Sequence, residues 1–157
     1  MKISKAIFWL SLVILPGFAT NASIPQIEGQ WITEYQIVDV SNSSVTDPTK
    51  LKALRMWIGH KYGWRNCVKA GDPSNLLQSA YPWDSRAKPA LQFNEFGGFA
   101  ATNRYFGGFA IPGHGTETIV GVIEGNHLKG IVDIDLDWEG GTHIRSVLTA
   151  TRSATCG

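Results

Sequence analysis

An excess of charge of either sign is the first thing the chain lacks. Its 14 Lys and Arg are set against 13 Asp and Glu in 157 residues, a formal net charge of +1. Phosphate backbones and anionic membrane surfaces are held by a basic surface, so this balance argues against nucleic acid as a partner and gives no reason to expect membrane binding. Beyond its first residues the chain has no second long apolar run and no low-complexity tail, so no stable membrane insertion is expected. The usual catalytic signatures are missing too. No two of the four histidines, His60, His114, His127 and His143, stand at H-x-x-x-H spacing. There is no G-x-S-x-G elbow, no Cys–His proximity that can be read, and no phosphate-binding glycine loop between a strand and a helix. These absences make an enzyme the weaker expectation, and neither a metal nor a cofactor is implied.

What is present begins at the N-terminus. Lys2 and Lys5 precede an apolar run from Ala6 to Leu15, Pro16 and Gly17 break it, and small residues lead through Thr20 to Ala22. This is the order of regions in a secretory signal peptide. The run is too short for a membrane span, which takes about 20 residues. The reading is a signal peptide over residues 1–22 and a single β-rich domain over 23–157, secreted or periplasmic. Cleavage there removes two lysines and no acid, leaving 12 basic and 13 acidic residues, a charge of −1. An exported chain meets an oxidising compartment, and with only Cys67 and Cys156 present the pairing is forced. Asn42-Ser43-Ser44 also matches an N-glycosylation sequon in a polar loop.

Alternation and turn signals organise the rest. Residues 31–40 read as a first strand. Asp47 and Pro48 then open a helix near 48–58, with Leu51, Leu54, Trp57 and Ile58 on one face and Gly59 and Gly63 ending it. Residues 64–89 read as irregular. From Leu91 onward strands alternate with glycine turns, and Phe-Gly-Gly-Phe-Ala occurs at 96–100 and again at 106–110. Gly125-Asn126 marks a tight hairpin between Thr118–Glu124 and His127–Lys129. In 131–138, Val132, Ile134, Leu136 and Trp138 face one side and Asp133, Asp135 and Asp137 the other. A turn at Glu139-Gly140-Gly141 would pair Trp138 with Thr142, Leu136 with Ile144 and Val132 with Leu148, setting Asp137 opposite His143 and Asp135 opposite Arg145.

Three clusters are candidates for function. The three aspartates resemble a cation site, but strand neighbours two apart lie about 7 Å from each other and basic partners face them, so an ion-paired outer face is expected. His143 beside Asp137 is the pair that would serve as an oriented base if the protein were an enzyme. The aromatic middle offers Trp57, Trp64, Tyr81 and Trp83, flat rings with polar tips suited to stacking on a sugar or closing over a small ligand.

Gly29-Gln30-Trp31 resembles the G-x-W that opens the barrel of lipocalins and related calycins, including avidin-like proteins, where the Trp plugs one end. That resemblance implies a basic residue of the last strands over the ring, either Arg145 or Arg152. The helix and aromatic segment at 47–89 depart from that plan. Leu91-Gln92-Phe93 through Asn103-Arg104-Tyr105-Phe106-Gly107 is similar to the central segment of META-domain envelope proteins, with Thr102 where that family has Cys. Neither resemblance implies a catalytic residue. Together the readings give an all-β antiparallel meander closing into a small barrel, with one short helix and one disulfide. The expected function is non-catalytic binding of a small amphipathic or sugar ligand through Trp57, Trp64, Tyr81 and Trp83. The alternatives are a barrel-type cyclase or isomerase, and a secreted protein-interaction effector, inhibitor or matrix component with a protein partner.

Overall fold

The computed structural model describes residues 26–77, 91–106, 113–137 and 141–156. The signal-peptide reading, Tyr81, Trp83, Trp138 and most of the second Phe-Gly-Gly-Phe-Ala copy lie outside the described residues.

Strand β1 runs from Gly29 to Asn42, longer at both ends than its sequence pattern predicts. Trp31, Thr33, Tyr35 and Ile37 are buried, while Ile32 and Val38 point out. The register against the last strand shifts between Ile37 and Asp39. This bulge takes up Val38, so the alternation changes phase and Val40 and Asn42 turn inward. The buried Asn42 amide donates to Thr142 Oγ1 at 2.8 Å, and its carbonyl oxygen accepts from Ser44 N and Val45 N at 2.8 and 3.1 Å. A glycan on that nitrogen would break the contact that closes the strand.

Helix α1, Pro48–Arg55, starts as the sequence predicts. Asp47 Oδ1 accepts from Thr49 N at 2.7 Å and Lys50 N at 3.1 Å, satisfying two backbone donors left open at a helix start. Those same N–H groups hold its carboxyl below the ordinary range. Leu54 and Trp57 pack on the core, and Ile58 stays exposed.

The chain after α1 corrects the sequence reading. Gly63 does not end a helix, and 64–89 is not wholly irregular: Lys61–Val68 is strand β2, followed by a short 3-10 turn at Pro73–Leu76. Tyr62, Trp64, Asn66 and Val68 alternate inward, but charged Lys61 and Arg65 and a glycine between them disguise the period. Gly63 is there because β1 approaches closely; a Cβ would sit 2.1 Å from Thr33 O.

The remaining strands are β3 (Gln92–Phe93), β4 (Gly98–Phe106), β5 (His114–Glu124), β6 (His127–Leu136) and β7 (Thr142–Ala154). All seven form one antiparallel sheet in the order β2-β1-β7-β6-β5-β4-β3. The first strand pairs with the last, and β2 and β3 are the two edges; among the described residues no ladder joins them. The Gly125 hairpin forms as expected, with Glu124 opposite His127 and Gly125 at φ 61°.

The β6–β7 hairpin keeps its expected faces but not its expected partners. Leu136 pairs with Thr142, Ile134 with Ile144 and Val132 with Ser146; Asp135 faces His143 and Asp133 faces Arg145. The register is two residues away from the sequence reading and the loop is longer. An even slip leaves every side chain on its own face, so alternation cannot detect it.

One core cluster takes the inward residues of β1, β2 and β4–β7, with Trp31, Ile37, Val132 and Leu148 fully buried. A single sheet that packs one face on itself must curl. The Cys67–Cys156 disulfide forms, with Cα atoms 5.5 Å apart and a sequence separation of 89, tying β2 to the segment after β7.

Candidate functional site

The curl gathers polar side chains inside an otherwise apolar sheet. Tyr35 of β1 and Tyr62 of β2 are register partners on the inward face, and their rings stack at 5.0 Å and 5°. Trp64, one inward position along β2, lies 5.2 Å from Tyr35 and 5.7 Å from Tyr62. Directly opposed inward residues of an antiparallel pair come close enough for such ring contacts.

Glu117 enters from the far side. It stands on the inward face of β5 between buried Gly115 and Ile119, opposite Asn103 of β4. On a flat sheet β1 and β5 would be three strand spacings apart, about 14 Å. The Glu117 charge nonetheless adds to the raised pKa of both tyrosines. Burial is the main reason that the Tyr35 hydroxyl is held well above the ordinary phenol value, with Glu117 and then Tyr62 adding to it. Burial likewise pushes Tyr62 up to about 12; Ser146 partly offsets this and Glu117 adds to it. Ser146 of β7 is fully buried, and its hydrogen bond to the Tyr62 side chain is what lowers that phenol. At neutral pH the cluster offers neutral phenol hydroxyls and aromatic faces beside the apolar core.

These shifts have a sign that can be tested. Folding raises both phenol pKa values above 10.0, so the neutral form is favoured in the folded state. Their contribution to stability is complete below the unfolded value and is lost as pH rises through the folded one. An ultraviolet titration of the folded protein should leave two phenols un-ionised where ordinary tyrosines titrate, and Tyr62→Phe should remove one of them. Ionisation of every tyrosine near pH 10 would show the cluster to be open to water.

The predicted site residues are divided by the fold. Trp64 is in the interior cluster. Trp57, half-buried in the turn after α1, packs on the core from outside it. Tyr81 and Trp83 lie outside the described residues. Sequence reasoning missed Tyr35, Ser146 and Glu117. A signal for Glu117 was there: in His114–Glu124 it shares its parity with Ile119 and Ile123.

His143 and Asp137 do not form a pair. His143 Nδ1 lies 2.8 Å from Asp135 Oδ1 and its Nε2 lies 3.2 Å from Asp133 Oδ1. Asp133 also accepts from Arg145 Nε at 2.7 Å and Nη2 at 3.1 Å, and that guanidinium holds its carboxyl below the ordinary range. Asp137 instead uses its backbone N–H, which donates to His114 O at 2.8 Å. Asp133, Asp135, His143 and Arg145 line the outward face, and among the described residues no group of His, Cys, Asp or Glu is arranged to hold a metal ion.

The opposite end of the sheet is locked rather than open. Trp31 is fully buried and its Nε1 donates to Ile27 O at 2.7 Å. Arg152, not Arg145, covers the ring, its guanidinium carbon 5.7 Å from the ring centre. Its nitrogens donate to Gln26 O at 2.6 Å, Glu28 O at 3.2 Å and Asn126 Oδ1 at 2.5 and 2.9 Å. A cleft of about 580 Å³ lies beside this lock, lined by Glu28, Lys69, Asn126, Arg152 and the disulfide, but every guanidinium nitrogen is already engaged. Compared with known protein families, curated proteins and solved structures, the chain matches none.

Proposed function

We propose that this chain is a non-catalytic binding protein that acts outside the cytoplasm and holds a small amphipathic ligand inside its curled sheet. The carrying observation is the inward cluster of Glu117, Tyr35, Tyr62 and Ser146 beside Trp64, polar groups set at one level of an apolar interior. The strand order supports closure into a small barrel, since only the β2–β3 seam separates the sheet from a complete ring. Arg152 over Trp31 supports the calycin resemblance at the other end. The disulfide suits an oxidising compartment. The cyclase or isomerase alternative loses its named pair, because His143 and Asp137 are not partners and His143 is engaged on the outward face.

The test is a titration of the disulfide-bonded protein with Nile red, a neutral dye whose emission shifts in apolar surroundings. Saturable binding at one dye per chain is expected, quenching tryptophan emission. Trp64→Ala should weaken it by roughly tenfold, the order of a lost aromatic contact. A folded protein that takes up no dye, and that retains no small molecule in native mass spectrometry, would overturn the proposal.

A further inference from the structure

We infer that helix α1 and the turn after it form a docking surface for a bilayer that carries anionic lipid head groups. This stands whether or not the interior holds a ligand. The first support is charge. The chain is near balance as a whole, but its charge is not spread evenly. Residues 48–71 hold six of the 14 Lys and Arg, and no Asp or Glu. Lys52 and Arg55 stand in the last turn of α1, are exposed, and form no ion pair among the described residues. The acids on the neighbouring stretches of chain are committed elsewhere. Asp47 caps the helix, Glu34 holds Lys61 Nζ at 2.9 Å, and Asp39 is the register partner of Arg145. The exposed charge of this element is therefore positive.

The second support is apolar. Met56 is 78% exposed, Ile58 43% and Val38 42%. Exposed apolar residues are common singly, but these three share one place. Met56 N donates to Lys52 O at 3.2 Å, so the helical turn continues and sets Met56 on the same face as Lys52. Gly59 N donates to Ile37 O at 2.7 Å, and His60 O accepts from Ile37 N at 3.0 Å. These bonds fasten the turn to β1 beside Val38, the residue that the bulge turns outward. The core does not need these side chains, since Leu54 and Trp57 supply the contacts of this segment with it. A soluble polyanion would engage the cations and leave Met56 and Ile58 in water. A bilayer surface meets both, with phosphates for Lys52 and Arg55 and the acyl boundary for the apolar tips. The turn is held by its backbone bonds before contact, so little ordering is needed on docking. A helix of eight residues lies on such a surface rather than crossing it.

The experiment is co-sedimentation of the disulfide-bonded protein with sucrose-loaded vesicles, of phosphatidylcholine alone or of equal parts phosphatidylcholine and phosphatidylglycerol. Binding to the anionic vesicles is expected, roughly tenfold or more tighter than to phosphatidylcholine alone and weakened by salt. Lys52→Glu/Arg55→Glu should lower it by roughly 25-fold or more, about fivefold for each basic residue lost. Met56→Ser/Ile58→Ser should lower it by roughly tenfold with the charge unchanged. All four positions are exposed, so circular dichroism and the urea midpoint should stay at wild-type values. Equal binding to the two kinds of vesicle overturns the proposal, and the wild type alone decides this if a variant does not fold. A preference for anionic vesicles that survives the charge reversal overturns α1 as the surface. Undiminished binding by folded Met56→Ser/Ile58→Ser would leave a charge contact alone, the mark of a polyanion partner such as heparin, and overturn the lipid assignment.

Discussion

Trp31→Ala is expected to lower the unfolding free energy by about 3–5 kcal/mol, the range for removing a large aromatic from a packed core. Three interactions end together. The indole is fully buried, so its loss leaves a cavity where β1, β2 and β7 meet. Ile27 O loses the Nε1–H donor it holds at 2.7 Å. Arg152 loses the ring beneath its guanidinium, while its bonds to Gln26, Glu28 and Asn126 remain. Urea unfolding followed by circular dichroism gives the measurement, with the midpoint falling and the slope unchanged. Trp31→Phe separates the terms, since it keeps much of the volume but not the N–H donor, and should cost clearly less than alanine. A Trp31→Ala protein with wild-type stability would mean that this end is not packed as described.

Opening the disulfide should have an effect of similar size by a different route. Cys67 and Cys156 are 89 residues apart, and the chain-entropy account gives about 4–5 kcal/mol for closing a loop of that length. The native contacts change little: β2 remains paired with β1, and β1 with β7. What changes is the unfolded chain, which regains the freedom that the cross-link denies it. The Cys67→Ser/Cys156→Ser protein should therefore unfold at a lower urea concentration and expose more surface as it does so, with a steeper slope. Reductant should lower the wild-type midpoint to a similar value and leave the double variant unmoved. An unchanged midpoint in reductant, with free thiols confirmed by mass, would contradict this account.

The two perturbations are coupled in space. Val68, Arg152 and Cys156 line the same cleft, so the disulfide and the Trp31–Arg152 lock brace one end of the sheet. The polar cluster lies deeper, on the levels of Tyr35 and Ser146. Weakening the braced end should lower stability more than it lowers affinity.

Much of the fold was legible in the residues. Alternation in 131–136 and 142–148 correctly assigned inward and outward faces, because period two is a local property of a strand. Asp47-Pro48 announced a helix start through cap chemistry that involves only the next three residues. Gly125-Asn126 announced its hairpin, since few other residues take positive φ at low cost. With only two cysteines in the chain, one pairing was open, and it forms. The misreadings are instructive: β2 was hidden because Lys61, Gly63 and Arg65 mark its outward side, and the β6–β7 register slipped by two because an even slip preserves both faces.

What the sequence determined by itself, then, is which side of each strand seeks the interior, where the chain turns, and how its two cysteines pair. Each follows from interactions within a few residues or from simple counting. The tertiary structure alone decided that β1 lies beside β7, that Arg152 rather than Arg145 covers Trp31, and that Tyr62 of β2 stacks on Tyr35 of β1. Those relations join residues tens of positions apart. They depend on ladder register and on the curl of the whole sheet, which local periodicity does not encode.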